Sequence, residues 1–245
     1  MKKILTFWNL IKTFQLKKAI FLLGEYIPRL MILSSRSHRS INNILNGYSH
    51  SSSFSFKIPL EPVPWMTYPF VDFMKNLNLS QKNIFEYGSG YSTVFWAKCS
   101  SKVVSVENDK FWFKELTNSI SSNVNLLLRD NKESFINAIN ETNDMWDIII
   151  LDGYGFRYEC ALESVSKLKP GGMIILDDSD NIQYKRICDF LKNNDLIQID
   201  FIGLKPGSDN IVATSAFLKR DYNFGSRFDH VQPKIFIGEQ RDYKA

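Results

Sequence analysis

From about residue 66 onward, short apolar runs alternate with amphipathic stretches along the chain. Continuous Val, Ile and Leu residues fill the runs at 102–107 and 147–152. Strands of this composition are covered by helices on both faces, so the pattern predicts a parallel sheet with right-handed helical crossovers. Further strands are predicted at 83–87, 124–128 and 173–177. Helices are predicted at 66–77, 92–98, 133–139, 158–168 and 182–193, and one more helix contains Phe111 and Leu116.

The alternation changes at the end of this region. Residues 196–204 and 211–218 both have an extended pattern, and only Lys205–Asn210 lie between them. Six residues are too few for a helical crossover, so these two strands should form an antiparallel hairpin. The predicted fold is α/β, with a mostly parallel sheet of seven strands, a terminal antiparallel hairpin and helices on both faces.

Three regions are predicted from composition. Residues 1–58 form a basic, amphipathic N-terminal arm that ends in a Ser-rich linker, residues 59–220 form the α/β domain, and residues 221–245 form a C-terminal tail. The first 50 residues carry eight Lys or Arg residues against Glu25 alone, whereas the whole chain has a net charge of +4. Residues 51–245 are therefore slightly acidic. This argues against a nucleic-acid partner, since enzymes that act on nucleic acids are usually basic around the active site.

The N-terminal arm is predicted to be helical but not membrane-spanning. Its apolar residues are interrupted by polar ones, and no run approaches the roughly 18 residues of a span. Ile4, Trp8 and Ile11 share one helical face with lysines interleaved. This face either lies on an anionic membrane surface or packs against the protein's own domain or a second copy in a homodimer. Three widely spaced cysteines without a CxxC pair indicate a cytoplasmic protein, with the inner membrane surface as the alternative location.

A glycine loop follows the first predicted strand and opens a helix. Gly88 and Gly90 allow a tight turn and a close approach to a ligand, and the helix amides that follow favour a carboxylate or phosphate. Glu86 is a candidate to bind an ammonium group. Glu107 ends the second strand, where a Rossmann-like domain places the acid that accepts the ribose hydroxyls. Asp130, just beyond the third strand, is a candidate for an adenine contact. The candidate cofactor-binding residues are Glu86, Tyr87, Gly88, Ser89, Gly90, Ser92, Thr93, Glu107, Asn108, Asp130 and Asp152.

These residues resemble those of class I S-adenosylmethionine (SAM)-dependent methyltransferases. The first motif of that family, acidic-x-Gly-x-Gly-x-Gly, reads here as residues 86–92, with Ser92 in place of the third glycine. The resemblance covers roughly residues 62–220. Within the class, EYGSGYST, VVSVEND, LDG…R…C and LKPGGMIILDD are similar to segments of bacterial O-methyltransferases that act on small molecules or sugars. The resemblance implies a Rossmann-like domain, SAM as the cofactor and a small-molecule or saccharide hydroxyl as the methyl acceptor.

Carboxylates at the ends of the fourth and fifth strands are the catalytic candidates. The resemblance extends to catechol-type and macrolide-sugar O-methyltransferases, which implies that Asp152, Asp177 and Asp178 bind Mg²⁺. Without a metal, Asp152 or Asp178 is the candidate general base, and Asp178 is alternatively a helix cap. Tyr154 and Arg157 are candidates for contacting the acceptor. Further candidates, each weighed against a structural or surface role, are Tyr158, Trp65, Tyr68 and His230.

Three alternative functions are open at this point. An RNA ribose methyltransferase would share the domain, although the chain lacks the Pro-Pro motif of base-amino methylases. An NAD-dependent oxidoreductase or epimerase is disfavoured by the terminal hairpin and by Thr93 at the last position of GxGxxG. The third alternative is a non-catalytic module that binds a membrane or a partner through the basic arm.

Overall fold

We describe residues 63–206 and 210–227 of the chain from a computed structural model. The helices are α1 (Tyr68–Asn76), α2 (Tyr91–Cys99), α3 (Lys110–Thr117), α4 (Lys132–Asn137), α5 (Arg157–Val165) and α6 (Lys185–Asn193), with 3-10 turns at Ala138–Asn140 and Ile182–Tyr184. The strands are β1 (Asn83–Tyr87), β2 (Lys102–Glu107), β3 (Val124–Leu128), β4 (Trp146–Leu151), β5 (Leu168–Leu176), β6 (Ile197–Gly203) and β7 (Val212–Leu218).

The strands form one sheet in the order β3-β2-β1-β4-β5-β7-β6. The first five strands are parallel, and β7 pairs antiparallel with both β5 and β6. The mostly parallel sheet and its terminal hairpin are therefore confirmed. A dinucleotide-binding sheet has the order 3-2-1-4-5-6 with a parallel sixth strand, so this topology disfavours the oxidoreductase alternative.

Side chains that alternate along each strand form two apolar cores, one on each face of the sheet. On one face, Ile84, Val103 and Ile148 pack against α1 and against Trp96 of α2. On the other, strand residues such as Phe85 and Ile149 pack with α4, α5 and α6. The helices therefore cover both faces, as predicted from the apolar runs.

Local sequence signals explain where the helices begin. Pro69 lies in the first turn of α1, where its missing N–H costs no helical hydrogen bond. The Asp109 carboxylate caps α3 by accepting from the Trp112 amide at 2.9 Å, and the Asn131 side chain caps α4 through the Ser134 amide at 2.9 Å. These caps direct the loops after β2 and β3 over the carboxyl edge of the sheet.

Two strands differ from the expectation. Strand β5 begins at Leu168 rather than Met173, with a register shift against β4 between Trp146 and Ile148. Strand β3 is the edge of the sheet and is partly exposed, because β2 alone pairs with it. In the described ranges, no helix is long and apolar enough to cross a membrane.

Several predicted regions lie outside the described residues. They are the helical N-terminal arm and Ser-rich linker (1–58) and the part of the C-terminal tail that includes His230. The predicted membrane contact, the homodimer and the domain boundaries therefore stay predictions.

Candidate active site

A cavity of about 770 Å³ opens at the carboxyl edge of the sheet, over the ends of β1, β2, β4 and β5. This volume lies within the range of small-ligand sites. Its lining residues are Trp65, Gly88, Ser89, Gly90, Tyr91, Ser92, Glu107, Asn108, Asp109, Phe111, Trp112, Asp152, Gly153, Tyr154, Asp177, Asp178 and Lys205. The cavity lies where β1 and β4 adjoin, the topological switch point at which open α/β sheets bind ligands.

The loop after β1 forms the floor of the cavity together with the loop after β4. Gly88 has φ of +90°, a conformation that side chains disfavour, and a Cβ at this position would lie 2.7 Å from the backbone of Gly153. Gly153 in turn packs against the Phe135 ring, which a Cβ would approach to 2.7 Å. The two glycines thus allow the two loops to touch.

Glu107 ends β2 and is 6% exposed. Its Oε2 accepts from the Ser89 amide at 3.0 Å and from the Ser89 hydroxyl at 2.7 Å. Its Oε1 accepts from the amides of Asn108 and Asp109, both at 2.9 Å. This carboxylate therefore joins the loops after β1 and β2, and Glu107 is part of the cavity lining.

Glu86 has a different position from the one expected. Its carboxylate is fully buried beneath α2 and is absent from the cavity lining. The Thr93 hydroxyl donates to it at 2.6 Å, Ser105 at 2.7 Å and the Trp96 indole at 3.1 Å. Thr93 also accepts from the Gly90 amide at 3.0 Å. Glu86 therefore supports the glycine loop from behind, and its contact to an ammonium group stays a prediction.

Burial raises the pKa of Glu86 to about 7, because loss of hydration outweighs hydrogen bonds from Ser92, Thr93, Ser105 and Trp96. Between pH 4.5 and about 7 the folded state keeps this proton, whereas the unfolded chain loses it. The associated stability is thus complete below pH 4.5 and declines as pH rises through 7.

We therefore expect Glu86→Gln to lose this pH dependence. Relative to the variant, the wild type should lose roughly 2–3 kcal/mol of unfolding free energy between about pH 5 and about pH 8. Urea denaturation across this range measures the difference. Parallel curves for the two proteins would mean that Glu86 has an ordinary pKa.

Aromatic side chains form one wall of the cavity. The Trp112 indole donates to the Ser89 carbonyl at 2.6 Å, which fixes α3 to the glycine loop. Tyr91 lies edge-on to Trp112 and to Trp65, with ring centroids 6.5 Å and 6.2 Å apart. Tyr154 is 90% exposed at the rim of the cavity, the position expected for a residue that contacts the acceptor.

Charged side chains gather at the ends of β4 and β5. Asp152, Asp177 and Asp178 line the cavity there, as expected, and Lys205 joins them from the loop after β6. The Lys205 ammonium lies 3.2 Å from Asp177 Oδ2 and also hydrogen-bonds Asp178 Oδ1. Burial and the neighbouring Asp177 raise the pKa of Asp152 well above its ordinary value, although Arg157 and Lys205 oppose the shift. Burial alone would lower the pKa of Lys205, but Asp177 and Asp178 raise it overall, so the lysine is charged.

Arg157 lies behind the cavity rather than in its lining. It is 8% exposed, and its guanidinium donates to the carbonyls of Gly153 at 2.9 Å, Asp177 at 2.5 Å and Asp152 at 3.0 Å. It also donates to Asp152 Oδ1 at 2.8 Å. The guanidinium thereby holds the ends of β4 and β5 together, and its contact with the acceptor stays a prediction.

The predicted Mg²⁺ site is not supported. Asp177 accepts from the Thr214 hydroxyl at 2.6 Å and from Lys205, while Asp152 is paired with Arg157. Asp178 faces both Lys205 and Arg157. In the part of the chain that the structure describes, no three His, Cys, Asp or Glu side chains are grouped to hold a metal ion. Two fixed cations thus occupy the place among the carboxylates that a metal would need.

Three other predicted cofactor residues, Tyr87, Thr93 and Asp130, do not line the cavity. Asp130 is half exposed and forms an ion pair with Lys110 at 2.9 Å, so its contact to adenine stays a prediction. The buried Tyr87 hydroxyl donates to the Ile136 carbonyl at 2.7 Å. Among the other candidates, Trp65 lines the cavity, whereas Tyr68 and Tyr158 do not.

Several lining residues were not predicted from the sequence. They are Tyr91, Asp109, Phe111, Trp112, Gly153 and Lys205. Three of these, Tyr91, Asp109 and Gly153, directly follow a predicted site residue, which is the signal that could have found them, whereas Phe111 and Trp112 do not. Lys205 had no such signal.

Comparisons with known proteins identify the fold. No family model and no curated protein matches the sequence. Among solved structures, precorrin-6y C5,15-methyltransferase from Geobacter metallireducens GS-15 aligns with a TM-score of 0.52 and 12% identity, over 66% of this chain and 94% of that one. A methyltransferase-like protein from Silicibacter pomeroyi DSS-3 aligns with a TM-score of 0.48 and 20% identity, over 66% of this chain and 90% of that one. TYW2 of M. jannaschii, in complex with AdoMet, aligns with a TM-score of 0.45 and 16% identity, over 64% of this chain and 78% of that one.

At these identities the similarity concerns the fold alone. The comparison with the precorrin methyltransferase spans nearly all of that protein, and the strand order here has the antiparallel β7 between β5 and β6. The described part of the chain therefore has the Rossmann-like fold of class I SAM-dependent methyltransferases.

Proposed function

We propose that this protein is a SAM-dependent methyltransferase that methylates a hydroxyl group of a small molecule or saccharide. The observation that carries the proposal is the position of Glu107. Its carboxylate faces the same cavity as the Gly88–Gly90 loop, at the end of the strand next to β1. An acid at this position suits the two hydroxyls of a ribose.

The two ends of the cavity have different chemistry, which supports separate cofactor and acceptor regions. Ser89, Gly90, Glu107 and Asn108 are the residues that would hold SAM, with the aromatic wall beside them. Bound SAM supplies an electrophilic methyl group. Asp152, Asp178 and the exposed Tyr154 line the other end, where an acceptor can enter from solvent.

An oxygen acceptor must lose its proton as the new carbon–oxygen bond forms. Asp152 and Asp178 are the candidate bases, since both reach the cavity. Among the described residues, only Arg157 hydrogen-bonds the Asp152 carboxylate, and it does so through Oδ1. The raised pKa of Asp152 makes it a stronger base than an ordinary aspartate. The rest of the acceleration comes from holding the two reactants in line.

The acidic lining disfavours the RNA alternative. Among the described residues that line this cavity, five are carboxylates, namely Glu107, Asp109, Asp152, Asp177 and Asp178, and Lys205 alone is basic. A phosphate backbone would be repelled there. A neutral hydroxylated molecule fits the charge better, and the acceptor is therefore proposed to be small.

Calorimetric titration of SAM into the wild type and into Glu107 variants tests the proposal. We expect micromolar binding to the wild type, and binding about tenfold or more weaker in Glu107→Ala, because a hydrogen bond to a charged acceptor contributes roughly 1.5–3 kcal/mol. Glu107→Gln keeps the side-chain volume and an oxygen for the Asn108 and Asp109 amides, but its NH2 group would face the Ser89 N–H donor, so it disturbs the loop less than Glu107→Ala without leaving it unchanged.

Glu133→Ala serves as the control, because Glu133 is exposed and away from the cavity. It should bind SAM like the wild type. A folded wild type that binds no SAM would refute the methyltransferase proposal, and NAD⁺ would then be titrated to test the oxidoreductase alternative.

A further inference from the structure

Lys205 is held in the acceptor end of the cavity by several independent contacts. The carbonyl of the preceding residue, Leu204, accepts from the Tyr68 amide at 2.9 Å, which fixes the loop to the start of α1. The lysine side chain is 18% exposed and reaches Asp177 and Asp178 at the end of β5. The position of the ammonium is thus set by the bond between its loop and α1 and by two carboxylates at the end of β5, rather than by a single surface ion pair.

Asp177 is the anchor of this arrangement. It is 1% exposed, with Oδ1 bonded to Thr214 at 2.6 Å and Oδ2 facing Lys205 at 3.2 Å. Thr214 in turn accepts from the Thr67 amide at 3.0 Å. A cation beside the other oxygen stabilises the charged form of such a buried carboxylate, because an uncompensated buried charge is strongly destabilising.

We propose that the Lys205 ammonium is a built-in cation of the acceptor site, in the place where a divalent metal ion would otherwise bind. A lysine has three N–H donors, and the described residues take two of them, through Asp177 and Asp178. The third binds the acceptor oxygen and stabilises the negative charge that develops there as a carboxylate removes its proton. This role of Lys205 rests on the proposed function, whereas its replacement of a metal does not.

Removing the lysine should therefore create a metal site. Lys205→Ala deletes both the ammonium and its stem, which leaves Asp177 and Asp178 without their shared cation and leaves room for an ion. Carboxylates of this kind are ligands for hard divalent cations. Lys205→Arg keeps a positive charge at the same place and is the matched control.

Manganese binding, measured by electron paramagnetic resonance and calorimetry with Mn²⁺ alone, tests the inference. We expect Lys205→Ala to bind Mn²⁺ at least about tenfold more tightly than the wild type or Lys205→Arg, because a fixed positive charge no longer competes. Adding Asp177→Asn to Lys205→Ala should abolish this gain, which assigns the ion to the cluster.

Two outcomes would overturn the inference. One is Mn²⁺ binding by the wild type as tight as in Lys205→Ala, and the other is no gain of binding in Lys205→Ala. Calorimetry with SAM on the same samples keeps the two proposals apart. Retained SAM affinity in Lys205→Ala shows that the variant is folded with an intact cofactor region, whereas failure of the wild type to bind SAM would refute the proposed function and leave the Mn²⁺ result standing.

Discussion

A Gly88→Ala variant is expected to lose roughly 3–5 kcal/mol of unfolding free energy, at the upper end of single-residue effects. Two causes combine. The residue has φ of +90°, which an alanine adopts only with strain. Its new Cβ would also lie 2.7 Å from the Gly153 N and Cα atoms, and backbone atoms cannot rotate away. Urea denaturation followed by circular dichroism measures the loss.

Two other glycines separate these causes. Gly155 has φ of +71°, and no atom lies within 4 Å of the position that an added Cβ would take, so Gly155→Ala should show the strain alone, about 1–2 kcal/mol. Gly90 has an extended φ of 173°, and its nearest neighbour would be the Trp112 indole at 3.7 Å, so Gly90→Ala should fold like the wild type. If Gly88→Ala were no worse than Gly155→Ala, the contact between the two loops would not be tight.

The second large effect concerns the arginine behind the cavity. Arg157→Met should destabilise the protein by about 3–5 kcal/mol, because it removes a buried guanidinium that holds backbone carbonyls of two strand ends and the partly exposed Asp152 carboxylate. The change leaves the Asp152 carboxylate without its ionic partner, and it leaves the Gly153 and Asp177 carbonyls without the guanidinium donor. Thermal and urea unfolding at neutral pH measure the effect.

Arg220→Met is the control for removal of an arginine. Arg220 pairs with Asp195 on the surface, where both side chains are well over half exposed, so its loss should cost no more than about 1 kcal/mol. Combining Arg157→Met with Asp152→Asn should recover part of the stability, because the amide removes the unpaired buried charge. Additive losses in the double variant would show that Arg157 acts through its carbonyl contacts and not through Asp152.

The central strands β1, β2 and β4 were predictable because each is a buried run with few alternatives, whereas β3 and β6 are partly exposed. The boundaries expected for 83–87, 102–107 and 124–128 agree with β1, β2 and β3. The β6–β7 hairpin was predictable because the six residues between the two predicted strands are too few for a helical crossover. The start of β5 was missed because Lys169-Pro170-Gly171 looks like a turn, whereas tertiary pairing with β4 extends the strand through it.

The location of the site was predictable, but which side chains line the cavity was not. A residue that follows a strand is placed at the correct edge of the sheet, which is how Glu107, Asp152 and Tyr154 were found. The sequence does not show whether a side chain lines the cavity or lies behind it, and Glu86 and Arg157 lie behind it. Lys205 was missed because its loop reaches Asp177 only through the pairing of β7 with β5.

The contact between the loops after β1 and β4 has a consequence for the order of folding. Strands β1, β2 and β3 pair with neighbours that are close in the chain, but β1 also pairs with β4, and the Asn83 amide bonds an Asp147 oxygen 64 positions away. Contacts of such separation require closure of a long loop and form slowly. The glycine loop and Glu107 belong to the first half of the sheet, whereas the residues opposite them arrive with β4 and β5. A nascent chain therefore contains Glu107, the candidate for ribose binding, well before it has a cavity. The cavity forms only when β4 and β5 join the sheet of β1, β2 and β3.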